Sequence, residues 1–536
     1  MSYALFWAEA LITALLWAAT AIARCAHIRR RWLARLALFL LLFGPFALFG
    51  AAAVGTGALK FSADFPHTWF EYSLSLLLAY LLGMAILLWR GRDGSARATG
   101  AFDWPRGRLT VGLLTAAAVL TMTLWNMDLE VRSQAAGLRT EAGAMMLSIS
   151  PAHVNDSRNG AIFYEKAFAK IAADNAAFHG DKSPSDSKMP DQEPAALELL
   201  KRHELTLKLL RKGAAMPEAR FDHDYANPSI RMLLPEVGQA RTAVRLLQLD
   251  ARHEMAHGQV EAAVADVNTM FALQRAVSDE PLLISLMVSA GMNGVAIETL
   301  GEILPEVTKA GQITGLDLSD SPFGAHAMMR TFQGEEAFGL SLFSDLMSGR
   351  ENMKELAGMM NEDGSKVQFV ALGNTGVQVL VRVFLMPDDV AAYRELMADH
   401  QQSVSVPYFQ MAARAEDFAR IRHAGVITSA IVPAIHHARE IAARAQAMHA
   451  DAEVALAMTH YRLVHGSFPA TLDALVPDFL DEIPADPFDG KPLRLAHKGD
   501  DWIIYSIGPD AKDDDGAAYD QKAKTGDLSF VLKVRK

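Results

Sequence analysis

The chain has 536 residues, 51% of them hydrophobic, a formal net charge of −11 and one cysteine, Cys25. The acidic balance argues against a nucleic-acid partner, whose phosphates call for a basic surface, and a single cysteine excludes any intrachain disulfide. A chain of this length has room for a membrane part and two further domains.

The first 130 residues hold four apolar stretches, at 3–23, 36–58, 70–89 and 109–127. Each comes close to the ~20 apolar residues that a helix needs to cross a bilayer, so four transmembrane helices are expected. Arg24, Arg29, Arg30, Arg31 and Arg35 follow the first, and Arg90, Arg92, Arg97, Arg106 and Arg108 follow the third. The positive-inside bias puts those two loops in the cytoplasm. The second loop carries only Lys60 as a cation beside Asp64 and Glu71, and the amino terminus is uncharged in its side chains. The expected place is therefore a bacterial inner membrane, with the amino terminus and everything after residue 128 outside the cytoplasm. A cleaved signal peptide ending at Ala21-Ile22-Ala23 fits less well, because it lacks a basic leader and the arginines follow it. A lipoprotein site at Cys25 is disfavoured by the bulky Arg24 before it.

From 159 to 465 apolar residues recur at spacings of three and four, the signature of helices. Helices are expected near 159–168, 195–212, 230–257, 260–277, 280–304, 335–346, 377–384 and 435–465, with a polar, mobile loop over 174–194. The pair on either side of Gly258 reads as a tetratricopeptide-like hairpin, with one convincing copy. Met347, Met353, Met359 and Met360 supply adaptable apolar bulk to an irregular stretch. After residue 465 the chain turns to Pro-rich corners and three short strands near 493–496, 502–506 and 528–534. The expected fold class is thus mainly α: a four-helix membrane domain (1–128), an exported helical domain (129–434), and a long helix with a small α+β domain (435–536).

The string His460-Tyr461-Arg462-Leu463-Val464-His465-Gly466-Ser467-Phe468-Pro469, then Ile483-Pro484-Ala485-Asp486-Pro487-Phe488, Tyr505-Ser506-Ile507-Gly508-Pro509-Asp510 and Asp527, resembles the head domain of the major type II secretion pseudopilin. The resemblance covers about the last 90 residues. It implies a helix capped by a small antiparallel sheet, with a calcium ion tying down the last loop. That loop crowds Asp510, Asp513, Asp514, Asp515, Asp520 and Asp527 among Gly508, Gly516 and Gly526. Calcium takes six to eight oxygen ligands, so the six aspartates are candidate calcium ligands; a solvated acidic loop is the alternative. The chain departs from a pseudopilin in the preceding helix, where Arg439, Glu440, Arg444 and Glu453 forbid a bilayer or pilus core. The whole layout also resembles bacterial multi-pass envelope proteins.

One motif looks catalytic. His253-Glu254-Met255-Ala256-His257 fits the zinc-peptidase pattern, in which two histidines one helical turn apart bind zinc and the glutamate activates water. Asp250 and Arg252 before it, and Gly258-Gln259 straight after it, are unlike a zincin helix. Glu261 and Asp266 could in principle supply a third zinc ligand, although no motif supports them. His436, His437 and His449 read as a polar helix face. The expectation is a non-enzymatic membrane protein whose exported region binds envelope or secretion-system proteins; the alternative is a tethered zinc metallopeptidase using His253, Glu254 and His257.

Overall fold

The computed structural model describes residues 104–177, 193–229, 234–351, 381–412 and 425–534. The first three expected membrane segments, and the methionines at 353, 359 and 360, lie outside the described residues. The chain divides into two compact units, 1–119 and 120–536. The fourth expected segment, 109–127, falls inside helix α1, Trp104–Ile149.

The described chain is mainly helical with one small sheet. After α1 come α2 (Ala161–Ala177), α3 (Glu193–Arg202), α4 (Glu204–Ala214), α5 (Pro235–Ala256), α6 (Val260–Ser278) and α7 (Leu283–Ile303). Next are α8 (Ala325–Ser348), α9 (Met386–Ser403), the short α10 (Tyr408–Ala412) and the long α11 (Val426–His465). The expected single helix over 195–212 is broken at His203 into α3 and α4. The hairpin around Gly258 is present: α5 and α6 pack together, and Gly258 takes φ +71°, a left-handed conformation that glycine adopts without steric cost. The amide N–H of Gly258 caps α5 by donating to the Met255 carbonyl at 3.0 Å.

Helix α8 begins ten residues before the expected start at 335, and two glycines, Gly334 and Gly339, lie within it. In the fold they are contact points: a Cβ at Gly334 would lie 1.6 Å from the Pro281 carbonyl oxygen, and one at Gly339 would lie 2.2 Å from the Tyr393 hydroxyl. The missing side chains let α8 approach its neighbours closely enough for Phe332, Leu340 and Phe343 to be buried. Among the described residues one helix, Leu283–Glu306, is long and apolar enough to cross a membrane. It is α7 with its short 3₁₀ extension, and it lies against α5, α6 and α11. A helix apolar on all sides is what a core position requires.

At the carboxyl end, β1 (Arg494–Lys498), β2 (Asp501–Ser506) and β3 (Leu528–Leu532) form an antiparallel sheet in the order β1-β2-β3. Ile504 faces both Leu495 and Phe530 in the register. Leu528, Phe530 and Leu532 alternate inward along β3, as the two-residue strand period demands. They do not close a separate core. Ile504, Phe530 and Leu532 belong to the same hydrophobic cluster as Phe271 of α6, Leu300 of α7 and Met458 of α11. Phe530 comes within 3.5 Å of where a Cβ at Gly301 would sit. A second cluster joins α1 (Ala135, Leu138) to α8, α9 and α11. Its rim is pinned by ion pairs: Arg139 to Asp345 at 2.5 Å and Arg394 bidentate to Glu141 at 2.6 Å for both bonds.

Candidate functional site

Residues 250, 253, 254 and 257 lie on successive turns of α5, and the helix separates them into two faces. Neighbours in a helix point about 100° apart, whereas residues four apart share a side. His253 and His257 therefore pair with each other, ring centroids 4.4 Å apart, and the His257 Nδ1 lies 2.8 Å from the His253 carbonyl oxygen. Glu254 pairs instead with Asp250, on a face that meets α4 and α6.

On that face Arg211 is the centre. Its Nη2 donates to Asp250 Oδ2 at 2.6 Å, and its Nε and Nη2 grip Asp266 at 2.6 and 2.8 Å. The same Nη2 lies 3.5 Å from Glu254 Oε1. Asp266 is fully buried, and the second Glu254 oxygen is buried without a hydrogen-bond partner. Burial, with the charges of Asp266 and Asp250, pushes the Glu254 carboxyl up to about 8 against the pull of Arg211. Burial likewise lifts Asp266 to about 6, although Arg211 opposes it. The cluster thus holds Glu254 protonated at neutral pH and uses the guanidinium as its cation.

Zinc catalysis needs an ionised glutamate beside metal-bound water and at least one more ligand near the two histidines. Among the described residues the one group of three or more potential ligands close enough to share an ion is Asp250, Glu254 and Asp266. Neither histidine belongs to it, Glu261 hydrogen-bonds Gln312 at 3.0 Å, and Asp266 is held by Arg211. The donor set does not fit a catalytic zinc centre.

Four of the six loop aspartates accept amides of the loop's own backbone. Asp527 is fully buried and accepts the Gly516 amide at 2.7 Å and the Asp514 amide at 3.2 Å. Asp520 Oδ1 accepts the amides of Lys522 and Ala523 at 2.7 and 3.1 Å. Asp510 accepts the Gly526 amide at 3.3 Å. Asp513 takes the Tyr505 hydroxyl and the Arg494 Nε, both at 3.1 Å. Asp514 and Asp515 are placed beside them with their amides on Asp527 and Asp513. No three of the six carboxylates converge closely enough to share an ion through side-chain oxygens alone, and those of Asp510, Asp513, Asp520 and Asp527 are engaged in bonds within the tail.

Two buried groupings escaped the sequence. Asp451 of α11 is buried with both carboxylate oxygens unpartnered, and burial, with the nearby charges of Asp486 and Asp527, raises its pKa far above the usual range. The second surrounds His223, whose Nε2 lies 3.1 Å from Glu236 Oε1 and 4.0 Å from Glu280 Oε2. The Tyr225 hydroxyl donates to Glu280, 2.8 and 2.7 Å from its two oxygens. Burial opposes protonation of His223, but its bond to Glu236 and the charges of Glu280, Glu236 and Glu165 outweigh it and raise the pKa. Burial pushes Glu280 to about 7. Scattered single polar residues in a helical pattern carry no signal that they will meet, so these groupings were invisible before the fold.

No protein family, curated protein or solved structure matches this chain.

Proposed function

We propose that the chain is a non-enzymatic protein of the bacterial inner membrane, anchored by four helices, whose region after residue 128 lies outside the cytoplasm and docks other envelope or secretion-system proteins. The observation that supports the non-enzymatic half is Glu254, whose carboxyl lies 3.5 Å from Arg211 and is pushed up to about 8 by burial and the charges of Asp266 and Asp250. A general base must be ionised at its working pH. Support for the docking half comes from the tail, where a long helix backs a three-stranded antiparallel sheet, the arrangement that the pseudopilin resemblance implies. The alternating arginine loops support the membrane topology.

The test uses the full chain in lipid nanodiscs supplied with zinc and an unfolded protein substrate. The account expects no hydrolysis above that of Glu254→Gln. In parallel, a photo-cross-linking side chain at exposed Val531 or Val464 in intact membranes is expected to yield discrete protein adducts. Hydrolysis that chelator and Glu254→Gln both abolish would instead establish the metallopeptidase.

A further inference from the structure

A cleft of about 760 Å³ opens where the end of α1, the turn after α4, and helices α6 and α8 meet. That volume is typical of small-ligand sites. Three arginines line it: Arg220, Arg275 and Arg330. Apolar side chains including Ile149, Val154 and Met216 also line it.

Arg220 is held in place by its backbone. The buried Asn159 amide donates to the Arg220 carbonyl at 2.8 Å, and its oxygen accepts the Arg220 N–H at 2.8 Å. The turn can sit so near α2 only because Gly160 and Gly213 lack side chains; a Cβ at Gly160 would lie 2.4 Å from the Gly213 carbonyl oxygen. The Arg220 guanidinium then stacks 5.3 Å over the Tyr225 ring, and its Nε is buried without a hydrogen-bond partner. Arg330 ties the cleft walls together, donating to the carbonyls of Ile149 at 3.1 Å and Asp279 at 2.8 Å. Arg275 is exposed and makes no hydrogen bond or ion pair with a described residue.

In a chain of net charge −11 this is a local excess of positive charge. The three guanidinium groups face two lining carboxylates, Glu218 and Asp279. Glu218 is moreover engaged by Arg158 at 2.6 Å. The guanidinium fork matches a carboxylate geometrically. The apolar lining calls for an apolar group next to that carboxylate. We infer that this cleft binds a ligand ending in a carboxylate beside an apolar body, with Arg275 and Arg220 receiving the carboxylate. Such an end belongs to a peptide's free carboxyl terminus or to a small organic acid.

The inference is independent of the docking role and is tested with the full chain in nanodiscs by calorimetric titration. The probes are N-acetyl-Ala-Leu-Leu, its carboxyl-terminal amide, and octanoate. The acid peptide is expected to bind, with the amide and the Arg275→Gln variant each weaker by about tenfold or more, the scale of a lost charge-assisted hydrogen bond. Arg275→Lys, which keeps the charge, is expected to recover part of the loss. Octanoate binding as tightly as the peptide assigns the site to organic acids; peptide binding alone assigns it to carboxyl termini. Because Arg275 holds no structural bond, its variants should melt with the wild type, and Asn159→Ala provides a second route by freeing Arg220. Equal binding of acid and amide, or no saturable binding of any probe up to about 1 mM, would overturn the proposal.

Discussion

Replacing Glu254 with glutamine keeps the side chain's shape and removes its titration. The folded carboxyl titrates near 8 and the unfolded one near 4.5, so between those values the folded chain holds an extra proton. Stability from this group is therefore greatest at acidic pH, falls as pH rises through the window, and levels off above 8. A shift from 4.5 to about 8 corresponds to about 5 kcal/mol at about 1.4 kcal/mol per unit. The side chain keeps 16% of its surface open, and solvent screening brings the expectation to roughly 2–4 kcal/mol. Glutamine carries no such loss. For a unit of about 400 residues the unfolding entropy is about 0.8 kcal/mol/K, so the variant should melt about 3–5 °C above wild type at pH 9 and within about 1 °C of it at pH 4. The assay is thermal unfolding of both full chains in nanodiscs from pH 4 to 9. A Glu254→Gln variant that melts below wild type at pH 9 would show that the carboxylate is ionised and useful, and would refute the reading of the Arg211 cluster.

Arg211→Ala strips the same cluster of its cation while Asp266 stays fully buried; the cost should be about 3–5 kcal/mol, read as a fall in melting temperature, with partial recovery in Arg211→Ala/Asp266→Asn. Gly334→Ala drives a Cβ against the Pro281 carbonyl oxygen at 1.6 Å, and separation of α8 from that loop should cost about 3 kcal/mol or more in urea unfolding. Phe530→Ala opens a cavity in the core shared by sheet and helices, so it should lower the stability of the whole unit by about 3–5 kcal/mol; loss of protection confined to the sheet in hydrogen exchange would contradict the shared core. Chelation of calcium should move the melting temperature by no more than about 1 °C, since the loop aspartates already bond the backbone; a large downward shift abolished by Asp527→Asn would restore the calcium cage.

Long periodic runs made most helices legible: the hairpin at Gly258, the core helix α7 and the long α11 all stand close to where apolar spacing put them. The strands were legible from Trp502-Ile503-Ile504-Tyr505 and Leu528-Ser529-Phe530, aromatic and β-branched residues between turn signals. The start of α8 was not: the close contacts of Gly334 with Pro281 and of Gly339 with Tyr393 that seat the helix are made with distant elements. The histidine motif was legible as a string, but the surroundings of Glu254 were not. Its helical spacing brings the two histidines together and aligns Glu254 with Asp250, and only the position of Arg211, 39 residues from Asp250 and 55 from Asp266 in the chain, reveals what those carboxylates meet. Arg220, Arg275 and Arg330 are likewise spread over three elements, and no local spacing announces a common cleft.

Elemental analysis of the full chain, purified without chelator and with His253→Ala alongside, tests the central claim most directly. The account predicts no stoichiometric zinc in either protein, because the two histidines of α5 lack a third ligand among the described residues and Glu254 is bound up with Arg211. One zinc per wild-type chain, lost in His253→Ala, would contradict it and make the chain a metalloprotein built on that helix.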